Sequence, residues 1–228
     1  MRELLKLRYN SREVKKMLNV RKYALGPVQT NCYMIANAAR ECLIIDPGEE
    51  GEFLIREIRK ANLKPQAIVL THAHFDHIGA VDDLRDAFHI PVYMHKKEKE
   101  WLGNPELNGS GKYAQLPDYS IRPADAFLEA EKATTIGSFQ FDVVHTPGHS
   151  PGSISLIFEQ DGFAVVGDTL FKRSVGRTDL IGGDSKLLLK SIHNHLLSLD
   201  EETVIYPGHD EPTTVGEEID QNPFLNGF

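Results

Sequence analysis

The chain has 228 residues, 41% hydrophobic and 25% charged, enough to close an apolar core and too balanced for a disordered or low-complexity protein. Lys and Arg number 25 against 33 Asp and Glu, a formal net charge of −8, which excludes nucleic-acid binding through a globally basic surface. Two cysteines, Cys32 and Cys42, are too few for a disulfide framework, and no apolar run reaches the roughly 18 residues of a membrane span. The opening MRELLKLRYN lacks the apolar centre of a secretory signal, so the expectation is a soluble, cytoplasmic protein with reduced thiols and neither membrane nor nucleic-acid partner.

Residues 1–22 carry eight basic side chains against Glu3 and Glu13, a local +6, and read as a basic, solvated N-terminal helical extension to a domain over 23–228. KYALG and NCYMIAN are short beta-prone runs parted by the Gly26-Pro27 turn, and ECLIID ends at Asp46-Pro47-Gly48, which together predict an antiparallel meander. Phe53, Leu54, Ile58 and Ala61 recur at helical spacing across 50–61, and AIVL at 67–70 reads as a buried strand. Residues 77–88 predict a helix and 91–95 a strand. The polar segment 96–132, rich in Gly, Asn and Pro, predicts an insertion that walls or covers a pocket. Strands return at TTI, FQFDVVH, SISLIF and FAVVG; a helix over 185–198 and the strand TVIY at 203–206 close the pattern.

THAHFDH at 71–77 follows the buried strand AIVL directly. Side chains of an extended stretch alternate, so His72 and His74 point to the same side, while Asp76 and His77 fall where the next helix begins. Three later positions repeat the arrangement of a strand leading to a glycine-containing turn with a ligand-type residue: His149 in HTPGHSPGS, Asp168 in VVGDTLF and His209 in YPGHDE. Imidazole and carboxylate without a thiolate suit zinc, iron or manganese. Seven such groups are too many for one tetrahedral ion and suit two ions if a carboxylate bridges them, with positions left for solvent.

THAHFDH, His149, the Asp168 of GDTLF and the His209 of PGHD resemble the five-motif metal signature of the metallo-beta-lactamase superfamily, in its glyoxalase II-like (hydroxyacylglutathione hydrolase-like) branch. GPVQTNCY and LFKRSVGRTDL are also similar to that branch, and the resemblance runs from about Tyr23 to His209. It implies an α/β fold, the four-layer αββα sandwich, with the site at one edge. It further implies two divalent metal ions, zinc before iron or manganese, the first held by His72, His74 and His149, the second by Asp76, His77 and His209, with Asp168 bridging. Asp46 is expected behind a ligand, orienting it, and Arg177 falls where the branch places a basic residue that contacts substrate. His89, His95, His145, His193 and His195 match no motif position and read as structural or exposed.

Two cations sharing a water lower its pKa from about 15.7 towards about 7. The expected activity is therefore a metal-dependent hydrolase cleaving the thioester of a small thiol, because a thiolate departs without a dedicated acid; Asp76 could relay a proton. The expected partner is a small-molecule acyl thiol, with a homo-oligomer left open. Only 19 residues follow His209, so the C-terminal helical substrate domain of longer glyoxalase II proteins is not expected, and Tyr113 and Tyr119 of the insertion are candidate substitutes for its contacts. A persulfide dioxygenase with one iron on His72, His149 and Asp168 is the alternative from another enzyme class, beside a hydrolase of the same fold acting on another ester or lactone. A beta-lactamase is less expected, since many lactamases carry cysteine where this chain has Asp168.

Overall fold

Apolar strand runs that turn one face to helices and the other to a second sheet decide the architecture. The computed structural model describes residues 18–115 and 117–225. The described chain opens with the antiparallel strands β1 (Asn19–Leu25), β2 (Thr30–Ala36) and β3 (Glu41–Ile45). Helix α1 (Gly51–Lys60) returns it to β4 (Lys64–Val69), parallel to β3. Short helices α2 (Phe75–Ile78) and α3 (Val81–Phe88) lead to β5 (Val92–His95), and α4 (Pro105–Asn108) precedes β6 (Ala126–Leu128).

The second half runs through β7 (Lys132–Ile136), β8 (Phe139–His145), β9 (Ile154–Phe158) and β10 (Phe163–Gly167), each antiparallel to the last. A small hairpin, β11 (Leu170–Phe171) and β12 (Ser174–Val175), and helix α5 (Ser185–Ser191) with its π-helical continuation Ile192–Leu196 follow. The last elements are β13 (Val204–Pro207), parallel to β10, then β14 (Thr213–Thr214) and α6 (Val215–Gln221). The two principal sheets each have six strands, ordered β1-β2-β3-β4-β5-β6 and β14-β13-β10-β9-β8-β7.

Met34, Ile44 and Ile68 face one way and pack under Leu54 and Ile58 of α1 and Leu84 of α3. Their neighbours Ile35, Leu43, Ile45 and Val69 face the other way and meet Phe139, Phe141, Val143, Leu156, Phe158 and Val165 of the second sheet. On that sheet's far side Ile157, Ala164, Val166 and Ile205 pack against Leu188, Ile192 and Leu196. The result is helix, sheet, sheet, helix: the expected four-layer α/β sandwich. Central strands buried on both faces need continuous apolar runs, and one-residue slippage would swap their faces. Each fully buried Leu, Ile or Phe contributes about 1.5–3 kcal/mol; Leu54→Ala would remove about 2–5 kcal/mol by also opening a cavity.

Several sequence expectations need correction. Residues 19–22 belong to β1 rather than to a helix, because pairing with β2 outweighs local charge; residues 1–17, the rest of the expected extension, lie outside the described residues. The helix expected over 77–88 is two helices, broken where the Ala80 amide donates to the Pro47 carbonyl at 2.9 Å. The insertion contributes an edge strand, β6, and β14 with α6 follows TVIY. Cys32 and Cys42 lie on adjacent strands, buried and free, but stand opposite Tyr23 and Ala36 rather than each other. No helix among the described residues is long and apolar enough to cross a membrane.

Candidate metal centre

Strands β4, β8, β10 and β13 deliver their following loops to one edge of the sandwich, where the sheets are tied by Ile154 N–H to the Thr71 carbonyl (2.9 Å) and Asn31 N–H to the Gly208 carbonyl (2.7 Å). The loop after β4 carries His72, His74, Asp76 and His77; Asp76 and His77 stand in the single turn of α2. Ligand-capable atoms of His72, His74 and His149 lie within 4.8 Å of one another, and so do those of Asp76, His77 and His209. Asp168 stands between the two groups: its carboxylate oxygens are 3.4 Å from His77 Nε2, 3.5 Å from His209 Nε2 and 3.6 Å from His149 Nε2. All seven side chains singled out in the sequence therefore meet. Gly208 makes this approach feasible, since a Cβ there would collide with the Asp168 carboxylate and crowd the His77 ring.

The surroundings fix which imidazole nitrogen faces inward. The His149 Nδ1–H donates to the Arg177 carbonyl at 2.8 Å, and a carbonyl can only accept, so Nε2 carries the lone pair. The His77 Nδ1–H donates to Asp46 Oδ2 at 3.0 Å, which turns Nε2 inward. Thr71 gives its hydroxyl proton to Asp46 Oδ2 at 2.6 Å and accepts from the His72 Nδ1–H at 3.1 Å. Asp46 also accepts the Thr71 amide at 2.7 Å and is held at φ 50°, a left-handed conformation that costs a non-glycine residue about 1–3 kcal/mol. It thus sits behind His77, where the sequence reading expected an orienting partner.

The electrostatics divide the site. Burial, reinforced by the neighbouring histidines, holds His72 well below the ordinary histidine value and His74 down to about 3. Burial would push the Asp76 and Asp168 carboxyls up, but His77 beside both of them, together with His209, outweighs it and holds both well below the carboxylate range. Conversely, burial would lower His77 and His209, and the facing carboxylates raise both. Two ionised carboxylates and five inward-facing imidazoles gathered at a largely buried cleft floor suit cations. His72 Nε2, His77 Nε2 and Asp168 Oδ1 are buried without a hydrogen-bond partner, and His74 Nδ1 lies 2.9 Å from His149 Nε2. Unpaired buried donors of this chemical kind fit a pair of divalent metal ions.

The cluster forms the floor of a cleft with a cavity volume of about 180 Å³. Its rim includes Val28, Leu107, Lys112, Tyr113, Arg177 and Ile181, so the 96–132 insertion walls the cleft, as expected. Tyr113 is on that rim; Tyr119 instead turns its hydroxyl to Glu49 and packs on Phe75. Arg177 is more than half exposed and paired with Asp179 at 2.7 Å, while its carbonyl supports His149. Among the other histidines, His95 and His145 stack on each other with ring centroids 4.6 Å apart. Sequence reasoning missed Thr30, whose hydroxyl donates to Asp76 Oδ2 at 2.7 Å, and Glu98, which reaches two of the ligand loops. Thr30 lies in the noted GPVQTNCY stretch; Glu98 lies in a lysine-rich run and carries no local signal.

Comparison with known proteins agrees with this geometry. The metallo-beta-lactamase superfamily model matches residues 25–209. A protein of Bacillus subtilis (strain 168) described as probable metallo-hydrolase YqgX is 47% identical over 208 residues, 91% of this chain and 98% of its own length. Hydroxyacylglutathione hydrolase GloC of Haemophilus influenzae is 33% identical, across 92% of this chain and 99% of its own. Among solved structures, BLEG-1 B3 metallo-beta-lactamase is 52% identical with a TM-score of 0.89, covering 92% of this chain and 100% of that one. TTHA1623 in a di-iron-bound form is 40% identical with a TM-score of 0.79, covering 90% and 100%. With its ligand-capable groups gathered at one edge of an αββα sandwich and the family model spanning most of its length, the chain belongs to the metallo-beta-lactamase superfamily and is a metal-dependent hydrolase of that fold.

Proposed function

We propose that the protein is a binuclear metal-dependent thioesterase, acting on an acylated small thiol of the hydroxyacylglutathione kind. The observation that carries this reading is the pair of complete donor sets flanking Asp168 on the floor of a partly cationic cleft. His72, His74 and His149 would hold one cation, Asp76, His77 and His209 the other, and Asp168 would be shared. Zinc is the first choice of metal and iron or manganese the others. When bound, such a pair supplies Lewis acidity, activating water and polarising a carbonyl oxygen.

The chain's own groups favour a thioester. Asp76 and Asp168 are held ionised and so offer no proton to a departing group. A thiol, with pKa near about 8.5, leaves as thiolate without one. The same low pKa limits Asp76 to a transient proton acceptor, steadied by Thr30. On the rim, Lys112 and Arg177 suit a substrate carboxylate, and Val28, Leu107 and Ile181 its apolar part. Likeness to GloC supports this substrate class.

A second reading, opening of a β-lactam ring, is favoured by the 52% identity to BLEG-1. The single-iron dioxygenase reading leaves Asp76, His77 and His209 without a role. Metal analysis of freshly isolated protein, with steady-state turnover of S-lactoylglutathione, other acyl thiols and a β-lactam, separates the three. Two metals per chain and preference for a thioester are expected; metal-replete protein that turns over no thioester overturns the proposal.

A further inference from the structure

The first donor set is assembled across the sandwich: His72 and His74 arrive on the loop after β4 of one sheet, His149 on the loop after β8 of the other. Nitrogen donors gathered from two sheets keep a common focus only if the separation of the two loops is fixed. Glu98, at the end of the short helical turn Lys96–Glu98 that follows β5, is fully buried, with 0% of its surface exposed. Its Oε2 accepts the Ala73 amide at 2.7 Å, and Ala73 lies between His72 and His74. Its Oε1 accepts the Ser150 hydroxyl at 2.5 Å and the Gly152 amide at 2.6 Å, and Ser150 follows His149 directly. One carboxylate thus joins both loops of the first set. Gly152 allows this approach, since a Cβ there would stand 2.8 Å from Glu98 Cγ.

We propose that Glu98 is a positioning residue that clamps the β4 and β8 loops together and thereby sets metal affinity at the His72, His74 and His149 set alone. This rests on the reading of those side chains as one of two cation sites. A buried carboxylate is tolerated where hydrogen bonds satisfy it, and an apolar side chain could fill the same volume without needing donors. The donors chosen here are the backbone and hydroxyl groups adjacent in sequence to the three histidines. The second set is supported directly by Thr30 on Asp76 and Asp46 on His77, and neither touches Glu98; Asp46 reaches the first set only indirectly, through Thr71 to His72.

The test is zinc titration of the full chain against a competing chelator that resolves two binding steps, beside thermal unfolding of zinc-free protein. Glu98→Gln keeps the size but turns an amide NH2 toward a donor, and Ser150→Ala removes one donor while leaving the carboxylate. Glu98→Gln is expected to weaken one step about 10–100-fold, the range for partners behind a ligand, and Ser150→Ala to weaken the same step less, with the other step at its wild-type affinity in both. Two unchanged steps, or both weakened together with a fall in zinc-free unfolding temperature, overturn the proposal. Wild-type protein that binds fewer than two zinc ions would overturn the two-cation reading itself, a result distinguishable from failure of the Glu98 assignment alone.

Discussion

The two donor sets differ in composition and in how they are supported. His72, His74 and His149 are three buried imidazoles, and burial with the neighbouring histidines holds His72 and His74 toward neutrality. Asp76, His77 and His209 include a carboxylate, lie against Asp168, and have histidines raised by the facing negative charge. On the proposed reading, a set of three imidazoles offers lone pairs but no negative charge, so its cation would depend on Asp168, whereas the other set brings a carboxylate of its own. The supports differ likewise: the first set spans both sheets and is joined through Glu98, whereas Asp76 and His77 share one helical turn backed by Thr30 and Asp46. One site is limited by assembly across the sandwich, the other by the orientation of a ring.

The largest expected effect comes from removing what the two sets share. Asp168→Ala should weaken both zinc steps by more than about 100-fold, beyond the loss typical of supporting partners, and abolish turnover; retention of either tight step by chelator competition would show that the carboxylate is not shared. Next comes Asp46→Asn. Its amide can turn an NH2 toward His77 Nδ1, favouring the tautomer that protonates Nε2 and removes the inward lone pair. The second zinc step should weaken about 10–100-fold and the first less, since Asp46 touches His77 directly but reaches His72 only through Thr71; equal loss at both would erase the contrast between the sets.

Smaller effects lie outside the metal-binding groups. Arg177→Ala should raise KM for an anionic thioester about 10-fold with kcat little changed, the signature of lost uniform binding, and leave stability within about 0.5 kcal/mol because its pair with Asp179 is exposed. The last is a stability effect of pH, away from the site. Burial, with the stacked His145 next, holds His95 down to about 4, against about 6.5 when unfolded. The unfolded chain therefore takes up this proton first, so the contribution of neutral His95 is complete above about pH 6.5 and is lost as pH falls toward 4. Denaturant unfolding of zinc-free His95→Phe and wild type at pH 7 and pH 5 should show a smaller loss on acidification in the variant; equal losses would remove His95 as a contributor.

Which of these groups the sequence disclosed follows from chemistry. The seven ligand-type side chains were legible because His and Asp at the ends of apolar strand runs have few structural uses, and four such runs deliver them to one edge. Asp46 was placed behind a ligand by the family resemblance, its strand-ending turn alone marking only a turn. Glu98 was not: a glutamate among lysines in HKKEKE looks like a solvated face, and only packing shows its carboxylate buried against Ala73, Ser150 and Gly152. The break between α2 and α3 was equally hidden, because it depends on the Pro47 carbonyl, a group from another loop, capturing the Ala80 amide. Strands β6 and β14, of three and two residues, are too short for periodicity to register.

The sequence by itself determined the ligand types and most of the order of strands and helices, since continuous apolar runs mark buried strands and helical spacing marks helices, while the four-layer arrangement was what the family resemblance implied. Only the tertiary structure decided which nitrogen of each ring faces inward and which buried carboxylate ties the loops. Those outcomes depend on hydrogen bonds between residues tens to more than a hundred positions apart, whose partners are fixed when the two sheets pack face to face.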